Sequence, residues 1–197
     1  MVTPPPKVVV LAGPNGAGKS TSAAKLLLGP LQVQEFVNAD TIAQGLSAFD
    51  QSRVAFEAGR IMLTRLKELA KAEANFAFET TLATRSYAPW LRSLQAAGYQ
   101  VHLLFLWLPS ADMAVARVAE RVRAGGHDVP EPTIRRRYTA GLANLRFLYL
   151  SLADSWKLID NTRIHHPRPI AAGFAGGEPD IYLEPAWRAM IGNEEQA

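Results

Sequence analysis

Residues 13–20 read Gly-Pro-Asn-Gly-Ala-Gly-Lys-Ser, a G-x-x-x-x-G-K-S pattern set directly after the apolar run 8–12. A buried strand that ends in a glycine-rich turn and opens into a helix aims successive backbone N–H groups at one point, which phosphate oxygens can fill. Gly13, Pro14, Asn15, Gly16, Ala17 and Gly18 would form the cradle, and Lys19 would reach the β and γ phosphates. Ser20 would offer its hydroxyl to Mg²⁺, with Thr21 the next nucleotide-binding residue. A chance glycine-rich turn could match the letters, but not the strand-to-helix setting as well. The pattern therefore predicts a bound nucleoside triphosphate with Mg²⁺.

The loop leaves the second substrate open, since it serves kinases, switches and motors alike. Transfer of a phosphoryl group to a hydroxyl needs a carboxylate beside that hydroxyl and cationic groups around the transferring phosphorus. Three acids follow apolar runs: Asp40, Glu79 and Asp160. Asp40 is the expected general base, the alternative being a cap on a helix that starts at Thr41. Glu79, with Thr80 and Thr81 beside it, is expected to hold the acceptor or to stand as a Walker-B-like acid behind Mg²⁺. Arg85 could pair with a substrate phosphate or lie solvated at a helix start. Asp160, Asn161 and Thr162 read as a base or ribose contact, or as a turn.

Seven arginines stand between positions 117 and 146 against three acids, which suits a polyphosphate. Arg121 and Arg136 are the first choices for contact with the transferring group; Arg117, Arg123, Arg135 and Arg137 are further candidates. They flank Gly125-Gly126-His127, which reads as a mobile lid. The pair His165-His166 has no companion ligands, so a metal site there is not expected.

These residues need a scaffold that collects strand ends. Apolar runs at 7–12, 34–37, 75–78, 99–108 and 156–160 alternate with helical patterns at 19–29, 51–74, 86–97, 110–124 and 133–152. That alternation predicts an α/β fold, a parallel sheet of about five strands flanked by helices, whose ligands lie beyond the strands' carboxyl ends. Asp50 and Ser110 are placed to cap helices, and the pair Gly29-Pro30 to stop one. Residues 163–197 read as a hairpin and a short helix, and 1–6 as a flexible lead. The whole reads as one domain over 1–197.

At 197 residues and 48 % apolar content the chain can bury a sizeable core. The absence of cysteine excludes disulfides and thiolate metal sites. No secretion signal is visible and the apolar stretch 101–109 is too short to span a bilayer, so a soluble protein is expected. Net charge is +3, but no nucleic-acid motif accompanies it, and nucleic-acid binding is not expected.

Taken together, the loop 13–20, Phe36-Val37-Asn38-Ala39-Asp40, Phe78-Glu79-Thr80-Thr81-Leu82 and the arginine-flanked 125–130 segment resemble the zeta toxin family and its small kinase relatives, over roughly residues 7–162. The resemblance implies a P-loop NTPase fold close to the nucleotide monophosphate kinases, with an arginine-bearing lid. It implies ATP as phosphoryl donor and a sugar hydroxyl of UDP-N-acetylglucosamine as acceptor. It also implies a cytoplasmic setting and a possible antitoxin partner. On it, Asp40 matches the general base, Glu79 the acidic substrate contact and Ser20 the Mg²⁺ hydroxyl. The chain is shorter than the best-known toxins, so the resemblance carries the kinase further than the toxin. A nucleotide-switched P-loop ATPase acting with a macromolecular partner is the alternative, although no L-S-G-G-Q signature is present; a GTPase switch lacks its N-K-x-D motif.

Overall fold

A computed structural model describes residues 4–29, 31–163 and 166–192. Residues 1–3 of the expected lead, the helix stop Pro30, and His165 lie outside the described residues. Strand β1 (Lys7–Ala12) is apolar after its first residue because both its faces are covered: Val8, Val10 and Ala12 enter one core, Val9 and Leu11 the other. It is followed by α1 (Lys19–Leu28), β2 (Glu35–Val37), α2 (Ala39–Leu46), α3 (Gln51–Lys71) and β3 (Phe76–Thr80). Next come α4 (Tyr87–Ala96), β4 (Gln100–Trp107), α5 (Ala111–Arg123) and α6 (Glu131–Asn144), which runs through a π-helical turn at Leu145–Tyr149 into α7 (Leu150–Leu152). Then β5 (Ser155–Asp160), β6 (Arg168–Phe174), β7 (Asp180–Ile181) and α8 (Glu184–Ile191) complete the described order.

The sheet order is β2-β3-β1-β4-β5-β6-β7. The first five strands are parallel, as the alternating pattern predicts. The sheet exceeds the expected five because the C-terminal hairpin adds β6 antiparallel to β5 and then β7 antiparallel to β6. Local signals read correctly as caps: the Asp50 carboxylate accepts from Arg53 N–H at 3.2 Å, and the Ser110 hydroxyl from Met113 N–H at 3.1 Å. The expected helix 133–152 is instead three pieces, since the Leu150 N–H bonds to the Leu145 carbonyl five residues back.

Each face of the sheet has its own core. One packs Met62 and Leu66 of α3 and Leu91 of α4 on Phe76 and Phe78; the other packs Leu27 of α1 and Val118 of α5 on Leu11 and Ala77. Helix α6 belongs to both. Ile134 near its start lies in the second core, while Leu142 near its end, followed by Leu145 of the π-helical turn, packs on the first. It therefore crosses the carboxyl edge of the sheet, where the strand ends converge.

Candidate active site

After β1 the chain turns through Gly16 (φ 75°) and Gly18 (φ 76°), left-handed conformations that favour glycine. Gly16 is also held by space: a Cβ there would come within 2.9 Å of the Arg117 Cβ and 3.0 Å of the Ala114 carbonyl oxygen. Gly18 opens α1 with no side chain capping its first N–H groups, so those donors are not taken up by a capping side chain.

Lys19 is 6 % exposed, and its Nζ donates to the Gly13 and Pro14 carbonyls, both at 2.9 Å. Burial pushes its ammonium below the ordinary lysine value, while Glu79, with Oε1 3.6 Å from Nζ, and Asp40 oppose that shift. The Ser20 hydroxyl donates to Glu79 Oε2 at 2.7 Å. Asn38, 6 % exposed, donates Nδ2 to the same oxygen at 2.8 Å and to Ser20 Oγ at 3.2 Å. Glu79 thus meets the strand-one loop, the end of β2 and its own strand at one point.

Asn38 has a second task. Its Oδ1 accepts from the N–H groups of Asp40 at 2.8 Å and Thr41 at 3.4 Å, so Asn38 caps α2. That leaves the Asp40 side chain free of the capping role considered for it. Sequence reading passed over Asn38 as a site residue; the signal was an Asn two residues before an acid at a strand end.

Two clefts open on these residues. One, of about 400 Å³, is lined by Gly16, Gly18, Ser20, Thr21, Arg117 and Arg121. The other, of about 490 Å³, is lined by Thr80, Thr81, Thr84, Tyr87, Arg136 and Arg137, together with Asn38 and Met62. Asn15, Lys19, Asp40 and Glu79 line both. A larger groove of about 880 Å³ runs between β2 and α3 and shares only Asn38 with this set.

The candidate arginines separate. Arg121 faces the first cleft, with Nη2 donating to the His127 carbonyl at 2.7 Å and a buried Nε that has no partner. Arg117 donates to the carbonyls of Asn161 at 2.9 Å and Thr162 at 2.6 Å, so it braces the loop's rear wall. Arg136 and Arg137 face the second cleft. Arg135 pairs on the surface with Asp112 at 2.6 Å and Glu131 at 2.7 Å, and Arg123 is exposed. Arg85, expected at a substrate phosphate, turns its Nε to Asn144 Oδ1 at 3.1 Å and is absent from the lining of both clefts.

Residues 160–162 are tied to one another and to the phosphate loop. Asp160 accepts from the Thr162 N–H and hydroxyl and from Arg168 Nη2 at 2.6 Å, and Asn161 Nδ2 donates to the Ala17 carbonyl at 2.7 Å. Burial works against the Asp160 charge, but the bonds from Thr162 and Arg168 outweigh it and hold its carboxyl below the ordinary range.

The residues fit a magnesium–nucleotide pair. Asn15 Oδ1 is buried without a partner among the described residues, at the wall shared by the clefts. Ser20 and Glu79 supply the hard oxygens that Mg²⁺ prefers. Among the described residues no cluster of three or more His, Cys, Asp or Glu could hold a metal alone. No helix among the described residues is long and apolar enough to cross a membrane.

A mostly parallel sheet with a phosphate loop after its central strand, and arginines over the carboxyl edge, defines a P-loop protein of kinase-like fold. Residues 8–141 match the AAA domain family, and the chain belongs to it. A Haemophilus influenzae protein described only as uncharacterized is 27% identical over 132 residues, 67% of this chain and 92% of its own length. The structure of the AvrRxo1-ORF1:-ORF2 complex with ATP matches with a TM-score of 0.74 at 16% identity over 95% of this chain. This chain spans only 64% of that one. A structure from the PezAT toxin–antitoxin system of Streptococcus pneumoniae matches with a TM-score of 0.68 at 14% identity, over 99% of this chain and 82% of that one. At these identities the likeness is one of fold.

Proposed function

We propose that the protein is an ATP-dependent phosphotransferase that moves the γ-phosphoryl group to a hydroxyl of a small acceptor. One observation carries the reading: Asp40, with Lys19 and Glu79, lies at the seam of two clefts, one walled by the phosphate loop and the other by hydroxyls and arginines. In this reading the loop amides and Lys19 hold the triphosphate, and Ser20 and Glu79 would hold Mg²⁺, which supplies charge neutralisation when bound. Asp40 accepts the proton of the acceptor hydroxyl as its oxygen bonds to phosphorus and the bond to the β-phosphate oxygen breaks. Arg121 on the donor side and Arg136 on the acceptor side offset the charge of the transferring group.

Arg136 and Arg137 suit an acceptor with its own anionic group, and a nucleotide sugar such as UDP-N-acetylglucosamine combines that group with free hydroxyls. A cytoplasmic setting and an antitoxin partner accompany this reading, the latter supported by the PezAT likeness. The test is incubation of protein with ATP, Mg²⁺ and UDP-N-acetylglucosamine, followed by mass spectrometry. The expected product gains one phosphoryl group with the wild type and not with Asp40→Asn. The AAA domain match favours one other reading, a nucleotide-switched ATPase. Acceptor-independent ATP hydrolysis without a phosphorylated product would replace the kinase with it.

A further inference from the structure

The segment after β3 that forms one wall of the acceptor cleft is fastened to the helix that carries Arg136 and Arg137. At Gly141 a Cβ would overlap the Thr81 carbonyl oxygen, so helix and loop touch backbone to backbone. Asn144, 6 % exposed, donates Nδ2 to the Leu82 carbonyl at 2.7 Å and accepts from Arg85 Nε at 3.1 Å. The Tyr149 hydroxyl donates to the Thr84 carbonyl at 2.8 Å. Burial, aided by the neighbouring Tyr87, pushes that phenol up to about 12, so it remains a donor. Leu82 sits fully buried at a φ of 56°, a conformation that surrounding contacts must maintain.

The π-helical turn brings the three fastening points into line. On an uninterrupted helix, Tyr149 would point about 80° away from Gly141. One extra residue in the turn takes back about 100° and returns the phenol to the stripe of Gly141 and Asn144. Arg137 lies one turn before Gly141 on that stripe, next to Arg136, and both line the cleft. At its other end α6 is anchored by buried Ile134 in the opposite core.

We propose that Gly141, Asn144 and Tyr149 form a clamp that sets the distance between the α6 arginines and the Thr80–Thr84 wall, making Asn144 and Tyr149 positioning residues for the acceptor. This rests on reading the 490 Å³ cleft as the acceptor site.

The test compares Asn144→Ala with Tyr149→Phe, which removes a single oxygen. Hydrogen exchange needs no acceptor: both variants should exchange faster at 80–86 and also at 133–140, where the arginines sit. Faster exchange at 80–86 with no change at 133–140 overturns the clamp. With UDP-N-acetylglucosamine as the probe, acceptor KM should rise about tenfold while the ATP Kd stays within about twofold. A drop in melting temperature with unchanged acceptor KM would make the contacts structural only and overturn the positioning role. If the wild type transfers nothing to that probe, the acceptor reading fails while the exchange measurement still decides the clamp.

Discussion

The cleft at the phosphate loop, proposed for the donor, and its neighbour, proposed for the acceptor, share a wall but are built differently. The first cleft takes Asn15, Gly16, Gly18, Lys19, Ser20 and Thr21 from one continuous stretch of loop and helix start, in which left-handed glycines turn the backbone and Lys19 donates to the Gly13 and Pro14 carbonyls. The second cleft takes Asn38 from the end of β2, Asp40 from α2, Met62 from α3, Thr80 and Thr81 from the end of β3, Tyr87 from α4 and Arg136 from α6. The first cleft is therefore built in large part from residues close together in the chain, with Asp40, Glu79 and Arg121 brought to it from other elements. The second cleft keeps its shape only while these separate elements keep their relative positions.

The largest effects should come from the shared wall. Lys19→Ala should lower the transfer rate about a thousandfold and weaken ATP binding as well. Asp40→Asn should lower the rate by about 10²- to 10⁴-fold while ATP binding, followed by calorimetry, stays unchanged; a parallel loss of ATP affinity would remove Asp40 from the role of base. Glu79→Gln keeps the shape but loses the charge beside Lys19 and Ser20. It should weaken the Mg²⁺ dependence of ATP binding, read as a rightward shift of about tenfold in a Mg²⁺ titration.

Two arginine variants sharpen the contrast directly. Arg121→Ala should act on the donor side, raising the KM for ATP, and Arg136→Ala on the acceptor side, each by about tenfold. If both moved the same KM, the two clefts would be one site. The smallest effect is on stability. Asp160 ionises more readily when folded, so its contribution is present above the ordinary aspartate range and is lost as pH falls through the lowered folded value. Thermal melts from pH 6 to pH 3 should therefore show a shallower acid loss in Asp160→Asn than in the wild type.

What could be read ahead of the structure follows the same division. The five parallel strands, the phosphate loop and the caps at Asp50 and Ser110 depend on neighbours within a few residues, so their signals lie in short stretches of chain. The arginines could be counted but not sorted. Arg117, Arg121, Arg135 and Arg136 share composition and helical setting, yet one braces backbone carbonyls, one faces each cleft, and one pairs on the surface. Arg85 was drawn to Asn144, a partner 59 residues away, and no local pattern encodes that distance.

By itself the amino-acid sequence determined that a strand, a glycine turn and a helix would present backbone donors and Lys19 to phosphate, because the allowed backbone angles of those few residues leave little else. It likewise determined which acids would reach the carboxyl edge, since period and polarity mark where each strand ends. Only the tertiary structure decided that Asn38 would cap α2 and hold Glu79 at once, and that a π-helical turn would rotate Tyr149 onto the face of Gly141 and Asn144. Those outcomes depend on how helices pack across two cores, which is set by contacts between residues far apart in the chain.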